Sequence, residues 1–233
     1  MRKGGGAGHT PLMPRDSADS IDPDQLLKAY TLGYFPMARR RDDPSVLWVL
    51  PDIRGVLALC EARLPKKLRK FVAGEPFEIR VDADFHAVVQ ACAEPGPGRQ
   101  DTWINDPIEE VYCELHRLGF AHSVECYEGG ALVGGLYGVA LGGVFCGESM
   151  FSRRDNASKV AMAHLIGRLK AGGFALLDTQ FHTPHLAQFG VAEMDDATYQ
   201  ERLAECLALD ADFYRPGSSI STISVLQSIT QTS

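Results

Sequence analysis

Three apolar runs separated by two glycine-bearing turns occupy residues 123–150, and they restrict the fold more than any other part of the chain. Residues 123–127 and 132–139 flank Glu128-Gly129-Gly130, where paired glycines supply the positive φ that a tight hairpin turn demands. Leu141-Gly142-Gly143 turns the chain again into a third run at 144–150. The spacing predicts a three-stranded antiparallel meander. The period then changes: residues 156–170 place Val160, Ala163, Leu165 and Leu169 on a helix stopped by Gly172-Gly173. Residues 174–178 are apolar up to Asp178, the pattern of a strand buried on both faces.

The N-terminal side is punctuated by capping residues. Asp22 is the N-cap of a helix with Pro23 at its first position; Leu26, Leu27 and Tyr30 form its apolar face, and Gly33 ends it. Residues 46–50 form a short strand closed by Pro51, and residues 77–81 alternate as another. Asp84 caps a helix to Ala91, residues 94–99 make a Pro/Gly loop, and Asp106-Pro107 opens a further helix. A last helix is predicted over 196–209. The whole is a mixed α/β chain. Its expected parts are a mobile segment at 1–20, a small N-terminal domain at 21–55, a larger domain at 56–214 and a flexible tail at 215–233.

At 233 residues and 45% hydrophobic, the chain can bury a sizeable core. Its net charge of −7 excludes nucleic-acid binding by bulk charge but leaves room for a local basic patch. The strongest such cluster is Arg63, Lys66, Lys67, Arg69 and Lys70, which Arg39, Arg40, Arg41, Arg153, Arg154 and Lys159 could widen. Six scattered cysteines without a CxxC pair suit a reduced, cytoplasmic setting. No apolar h-region and no membrane-length apolar run are present. His182-Thr183-Pro184-His185 lacks the further ligands a metal site needs, so no metal is expected.

The chemistry is concentrated in two places. Glu148 sits inside the apolar run GGVFCGESMF, just before the basic turn SRRDNASK. Asp178 and Gln180 stand two residues apart at the end of the buried strand, where i and i+2 share a face, so the pair is expected to address one substrate together. A carboxylate beside an amide that donates and accepts suits an amine attacking a carbonyl.

The element order resembles the N-acetyltransferase-like (GNAT) fold. More specifically, AYTLGYFPM, LWVLPDIRGVL, TWI, AHSVE, LVGGLYGVALGGVFCGESMFS, NASK and LLDTQFHTPHL occur in order between Ala29 and Leu186. In these blocks the chain resembles the leucyl/phenylalanyl-tRNA–protein transferases. The resemblance implies a GNAT-like C-terminal domain and transfer of Leu or Phe, less well Met, from aminoacyl-tRNA. The implied acceptor is the α-amino group of proteins beginning with Lys or Arg, in the N-end rule pathway of protein degradation, with no metal or nucleotide cofactor. It also implies an apolar donor pocket at Leu136, Phe145, Met150, Met162, Leu165, Leu169 and Leu177. Trp48 and Trp103 would meet the aminoacyl-adenosine end, and Glu148, Asp178 and Gln180 would form the catalytic polar centre. Asp178 is expected to polarise Gln180, Gln180 to help take the amine's proton, and Glu148 to attract the cationic acceptor. The basic cluster from Arg63 would hold tRNA phosphates.

Two other classes compete. An acetyl-CoA-dependent acetyltransferase needs a Gly-rich pyrophosphate cradle, whereas the turn after Met150 reads FSRRDNASK with no glycine. A non-catalytic module that recognises tRNA or basic N-termini could keep Glu148 and the basic cluster but would not require Asp178 with Gln180.

Overall fold

The computed structural model describes residues 20–95 and 101–230; most of the predicted N-terminal segment and the loop beyond Pro95 lie outside them. In chain order the elements are α1 (Pro23–Thr31), β1 (Phe35–Met37), β2 (Leu47–Val49), β3 (Ile53–Ala58), α2 (Lys66–Ala73), β4 (Glu78–Val81), α3 (Phe85–Ala93) and α4 (Asp106–Arg117). There follow β5 (Ala121–Glu128), β6 (Ala131–Leu141), β7 (Val144–Ser152), α5 (Ala157–Gly172), β8 (Leu176–Asp178), α6 (Pro184–Ala187), β9 (Ala192–Asp195), α7 (Asp196–Leu207) and α8 (Thr222–Thr230). The caps fall where the sequence places them: Asp22 accepts from Gln25 N, and Asp84 from Ala87 N. Asn105, one residue ahead of Asp106-Pro107, caps α4 by accepting from Ile108 N.

The predicted meander β5–β6–β7 is the middle of a seven-stranded sheet of order β4-β5-β6-β7-β8-β3-β9; β1 and β2 form a separate antiparallel pair. Every pairing in the large sheet is antiparallel except β7 with β8. One face packs residues of α1, α3, α4 and α7, including Leu26, Tyr30, Val88, Ile108, Tyr112 and Leu203. The other packs α2, α5 and α8 through Leu68, Val72, Met162, Leu165, Val225 and Ile229. Among the described residues no helix is long and apolar enough to cross a membrane.

Two features of the sheet open a site. First, β7 and β8 pair only over Val144↔Leu176, Phe145↔Leu177 and Cys146↔Asp178; β8 then stops while β7 runs on. Second, the β6–β7 register steps from Tyr137↔Ser149 to Gly138↔Gly147, leaving Glu148 as an extra, unpaired residue. Such a bulge bends its strand and re-aims a side chain. The backbone closes in opposite it: a side chain on Gly138 would collide with the Cys146 carbonyl and the Phe145 ring.

The tail departs from expectation. Instead of a flexible segment after Arg215, α8 lies on α5 with Val225 and Ile229 buried, the docking that the apolar residues of 220–229 leave open in the sequence. The physical reason lies in α5, which is buried on nearly every side, with Leu165, Ile166, Leu169 and the side-chain-free Gly167 needing cover that the sheet alone does not give.

Candidate active site

Glu148 projects from the bulge into a hydroxyl cage. Its Oε1 accepts from Tyr30 of α1 at 2.7 Å, and its Oε2 from Tyr112 of α4 at 2.7 Å. The two tyrosine oxygens are themselves 2.7 Å apart. Three oxygen–oxygen contacts therefore share two hydroxyl protons when Glu148 is ionised. A third proton, on the carboxyl, completes the ring. Burial pushes the Glu148 carboxyl up to about 7, the tyrosine hydrogen bonds pull it back, and the charge of Asp178 adds to the rise. Glu148 is thus poised to gain or lose a proton near neutrality.

Gln180 meets this carboxylate from the other side, with Nε2 3.3 Å from Oε1. It does so from outside the strand. Gln180 has φ +54°, the left-handed region that non-glycine residues enter at a cost of ~1–3 kcal/mol. The conformation is held by neighbours: Gln180 N donates to Asp178 Oδ1 at 2.8 Å, and its carbonyl accepts from Gly55 N at 3.0 Å. Gly55 also accepts from Thr179 N, and a side chain there would strike the Phe181 backbone. The expectation that Asp178 and Gln180 face one substrate from a shared strand face is therefore corrected, because the strand ends at Asp178.

Asp178 is 1% exposed and fully engaged. Besides Gln180 N it accepts from the Tyr199 hydroxyl at 2.7 Å, and it ion-pairs with Arg54 Nη2 at 3.2 Å. Arg54 is itself buried, donates to Gly33 O at 2.6 Å, and stacks against Tyr199 and Phe35. The contact between Asp178 and Gln180 is to the backbone N–H, not to the amide side chain. Asp178 thus sets the shape of the Gln180 turn and does not reach the cavity.

That cavity, about 280 Å³, lies beside Glu148. Leu136, Met150, Met162 and Leu165 give it apolar walls, and Glu148 lies on its lining. The bulge explains how Glu148 and Met150, two apart, pack on different layers: Glu148 bonds Tyr30 and Tyr112, while Met150 packs with Leu136 toward α5. Of the other residues expected in the pocket, Phe145, Leu169 and Leu177 are at 0% exposure and belong to the core beneath it. Trp48 lines a separate cavity with Ile21, Pro23 and Val46, Trp103 packs half-buried against the core under α1, α3, α4 and α7, and neither is on the lining of the apolar cavity. The sequence reading missed Thr179, Thr183 and His185 on the lining, Tyr30 and Tyr112 around Glu148, and Arg54 and Tyr199 behind Asp178.

The basic cluster is solvent-facing. Arg63 and the α2 residues Lys66, Lys67, Arg69 and Lys70 are exposed, and the side chains of the four on α2 have no ion-pair or hydrogen-bond partner among the described residues. Most of the arginines that could widen it are already spoken for: Arg40 pairs with Asp42, Arg41 with Asp106 and Glu109, Arg153 with Glu94, and Arg154 with Glu128.

The family model described as leucyl/phenylalanyl-tRNA protein transferase matches residues 56–204, and that of its N-terminal domain matches residues 19–52. The chain belongs to this family. It is an aminoacyltransferase. Among similar proteins named leucyl/phenylalanyl-tRNA--protein transferase, that of Phenylobacterium zucineum is 55% identical over 218 residues, 91% of this chain and 99% of that one. Those of Maricaulis maris and Paramagnetospirillum magneticum are 51% and 55% identical, covering 90% and 84% of this chain and 97% and 93% of theirs. A functionally unknown conserved protein from Staphylococcus epidermidis aligns with TM-score 0.39 and 11% identity over 78% of this chain and 67% of that one, too distant to carry an argument.

Proposed function

We propose that the chain transfers Leu or Phe, and less well Met, from aminoacyl-tRNA to the α-amino group of proteins beginning with Lys or Arg. The tagged proteins would enter N-end rule degradation in the cytoplasm, and the larger domain would be GNAT-like. The observation that carries this reading is the apolar cavity lying directly beside a carboxylate held near its proton-exchange point.

The donor ester is already activated, so the site need only orient an amine, take its proton and stabilise the tetrahedral oxyanion. The donor side chain would sit against Leu136, Met150, Met162 and Leu165. One methylene in such a wall is worth ~1–3 kcal/mol, so donors as alike in volume as Leu, Phe and Met would share the site. The acceptor nitrogen attacks the ester carbonyl carbon, forming a C–N bond. Its proton passes to Glu148, which returns it to the ribose oxygen as the C–O bond to the ribose breaks. Gln180 would place its amide oxygen against the acceptor amine while its Nε2 steadies Glu148. Glu148, not Gln180, is the proton acceptor here, because a neutral amide has no useful basicity. Asp178 is a positioning residue. Lys66, Lys67, Arg69, Lys70 and Arg63 would meet tRNA phosphates, a contact that carries little sequence information and is salt-sensitive.

The deciding experiment incubates leucyl-tRNA with an Arg-initiated peptide and reads the mass. Addition of one leucyl residue is expected, with none for a peptide whose amine is acetylated. An unmodified Arg-initiated peptide would overturn the reading.

A further inference from the structure

The chain beyond α7 runs past residue 204, where the family match ends, yet it is fastened to the body at several points. Phe213, 3% exposed, stacks on His122 and Phe145. The Tyr214 hydroxyl donates to Asp82, whose carboxylate also holds His122 and Ser123 N. Arg168 of α5, 1% exposed, donates to three tail carbonyls: Phe213 and Gly217 at 2.9 Å and Ser218 at 3.1 Å. Arg215 returns the clasp by donating to Gly172 O at 2.9 Å. Helix α8 then lies along α5 so closely that a methyl on Gly167 would stand 2.8 Å from Val225 Cγ2.

The other helix against which α8 packs is α2. Helix α2 belongs to no strand pair and rests on α5 and α8 through Leu68 and Val72, while its cations face solvent. α8 itself, TISVLQSIT, carries no charge and so adds no cation to the array. From this arrangement we infer that the C-terminal segment 213–230 braces the basic helix. It fixes Lys66, Lys67, Arg69 and Lys70 as a rigid array for the polyanionic backbone of the donor RNA, and touches no RNA itself. The inference rests on the reading of α2 as a phosphate-binding helix. A pre-ordered array pays less side-chain and segment ordering on binding, and it keeps several cations in register at once.

Gly167→Ala presses on Val225, and Ile229→Ala removes an anchor; both perturb the brace without introducing a buried charge. Each is assayed for binding of leucyl-tRNA across a salt series, for hydrogen exchange in residues 66–73, and for transfer from leucyl-adenosine, which lacks the RNA body. The expected result is about five- to tenfold weaker tRNA binding and a shallower salt slope, equivalent to losing about one phosphate contact. Faster exchange in α2 and unchanged transfer from leucyl-adenosine should accompany it. Wild-type tRNA affinity alongside faster exchange in α8 would overturn the brace, as would equal losses with both donors. Charge reversal by Lys66→Glu with Lys67→Glu separates the two readings. If it weakens tRNA binding while the tail variants do not, only the brace fails. If it leaves tRNA binding intact, the phosphate-binding reading fails and the brace falls with it.

Discussion

Two carboxylates stand at the mouth of the same parallel strand pair and have opposite surroundings. Asp178, opposite Cys146 in the ladder, has a buried arginine, a tyrosine hydroxyl and a backbone N–H on its two oxygens. Glu148, two residues beyond Cys146, has tyrosine hydroxyls and an amide but no cation in contact. A buried carboxylate whose cation and hydrogen bonds are all in place is a structural joint. One half-buried among neutral donors, as Glu148 is, keeps its proton affinity high enough to exchange near pH 7. Residue type alone distinguishes nothing here; the partners do.

The sharpest way to break this contrast is to remove Asp178. Asp178→Ala leaves Arg54 as an uncompensated buried charge and should cost ~3–5 kcal/mol in chemical denaturation. Arg54→Met combined with Asp178→Asn removes both charges and leaves an acceptor for Gln180 N. That double variant should recover most of the stability and transfer within about tenfold of wild type. A fully folded double variant with no transfer would make Asp178 chemical after all. Glu148→Gln should behave in the opposite manner. Its fold should survive, because the amide satisfies the tyrosine ring, while single-turnover transfer drops by ~10²–10⁴, the usual worth of a general base. Equal transfer rates in Glu148→Gln and wild type would remove Glu148 from the chemistry.

A subtler change tests the hydroxyl cage. Tyr112→Phe deletes a hydrogen bond that lowers the Glu148 proton affinity. The inflection in transfer rate that reports Glu148, expected near pH 7, should move alkaline by about one unit. The acceptor amine titrates separately at about 7.7–8.0 and should not move. A profile identical to wild type would mean that the observed inflection belongs to the amine alone.

How far this contrast could be read from sequence differs by residue. The meander, the caps at Asp22 and Asp84 and the helix before Gly172-Gly173 follow from local turn chemistry and period, and they fall as expected. The bulge at Glu148 does not, because an extra residue leaves the apolar run from Val144 to Met150 unbroken; it becomes visible only against β6. The turn at Gln180 is hidden for a similar reason, since its positive φ is imposed by Gly55 on a distant strand. Arg54 sits on β3, which inserts between β8 and β9 although more than a hundred residues separate it from either. Pairing at that distance leaves no local mark. The tail did leave one: Ile220, Val225, Leu226 and Ile229 form an apolar set that needs a partner, and α5, with Gly167 leaving room, receives it.

The smallest effect sharpens the comparison through stability. The folded-state pKa of Glu148, about 7, lies above its ordinary value of 4.5. Between those values the folded protein holds a proton that the unfolded chain has released. The residue therefore contributes stability that is fully present below about pH 4.5 and lost as pH rises through 7. Glu148→Gln is free of that loss. The difference in unfolding free energy between variant and wild type should be near zero at pH 4.5 and grow to on the order of 2 kcal/mol in favour of the variant at pH 8. A gap that stays constant from pH 5 to 8 would mean that the carboxylate ionises in the folded state as readily as in water. The contrast with Asp178 would then rest on hydrogen-bond geometry alone.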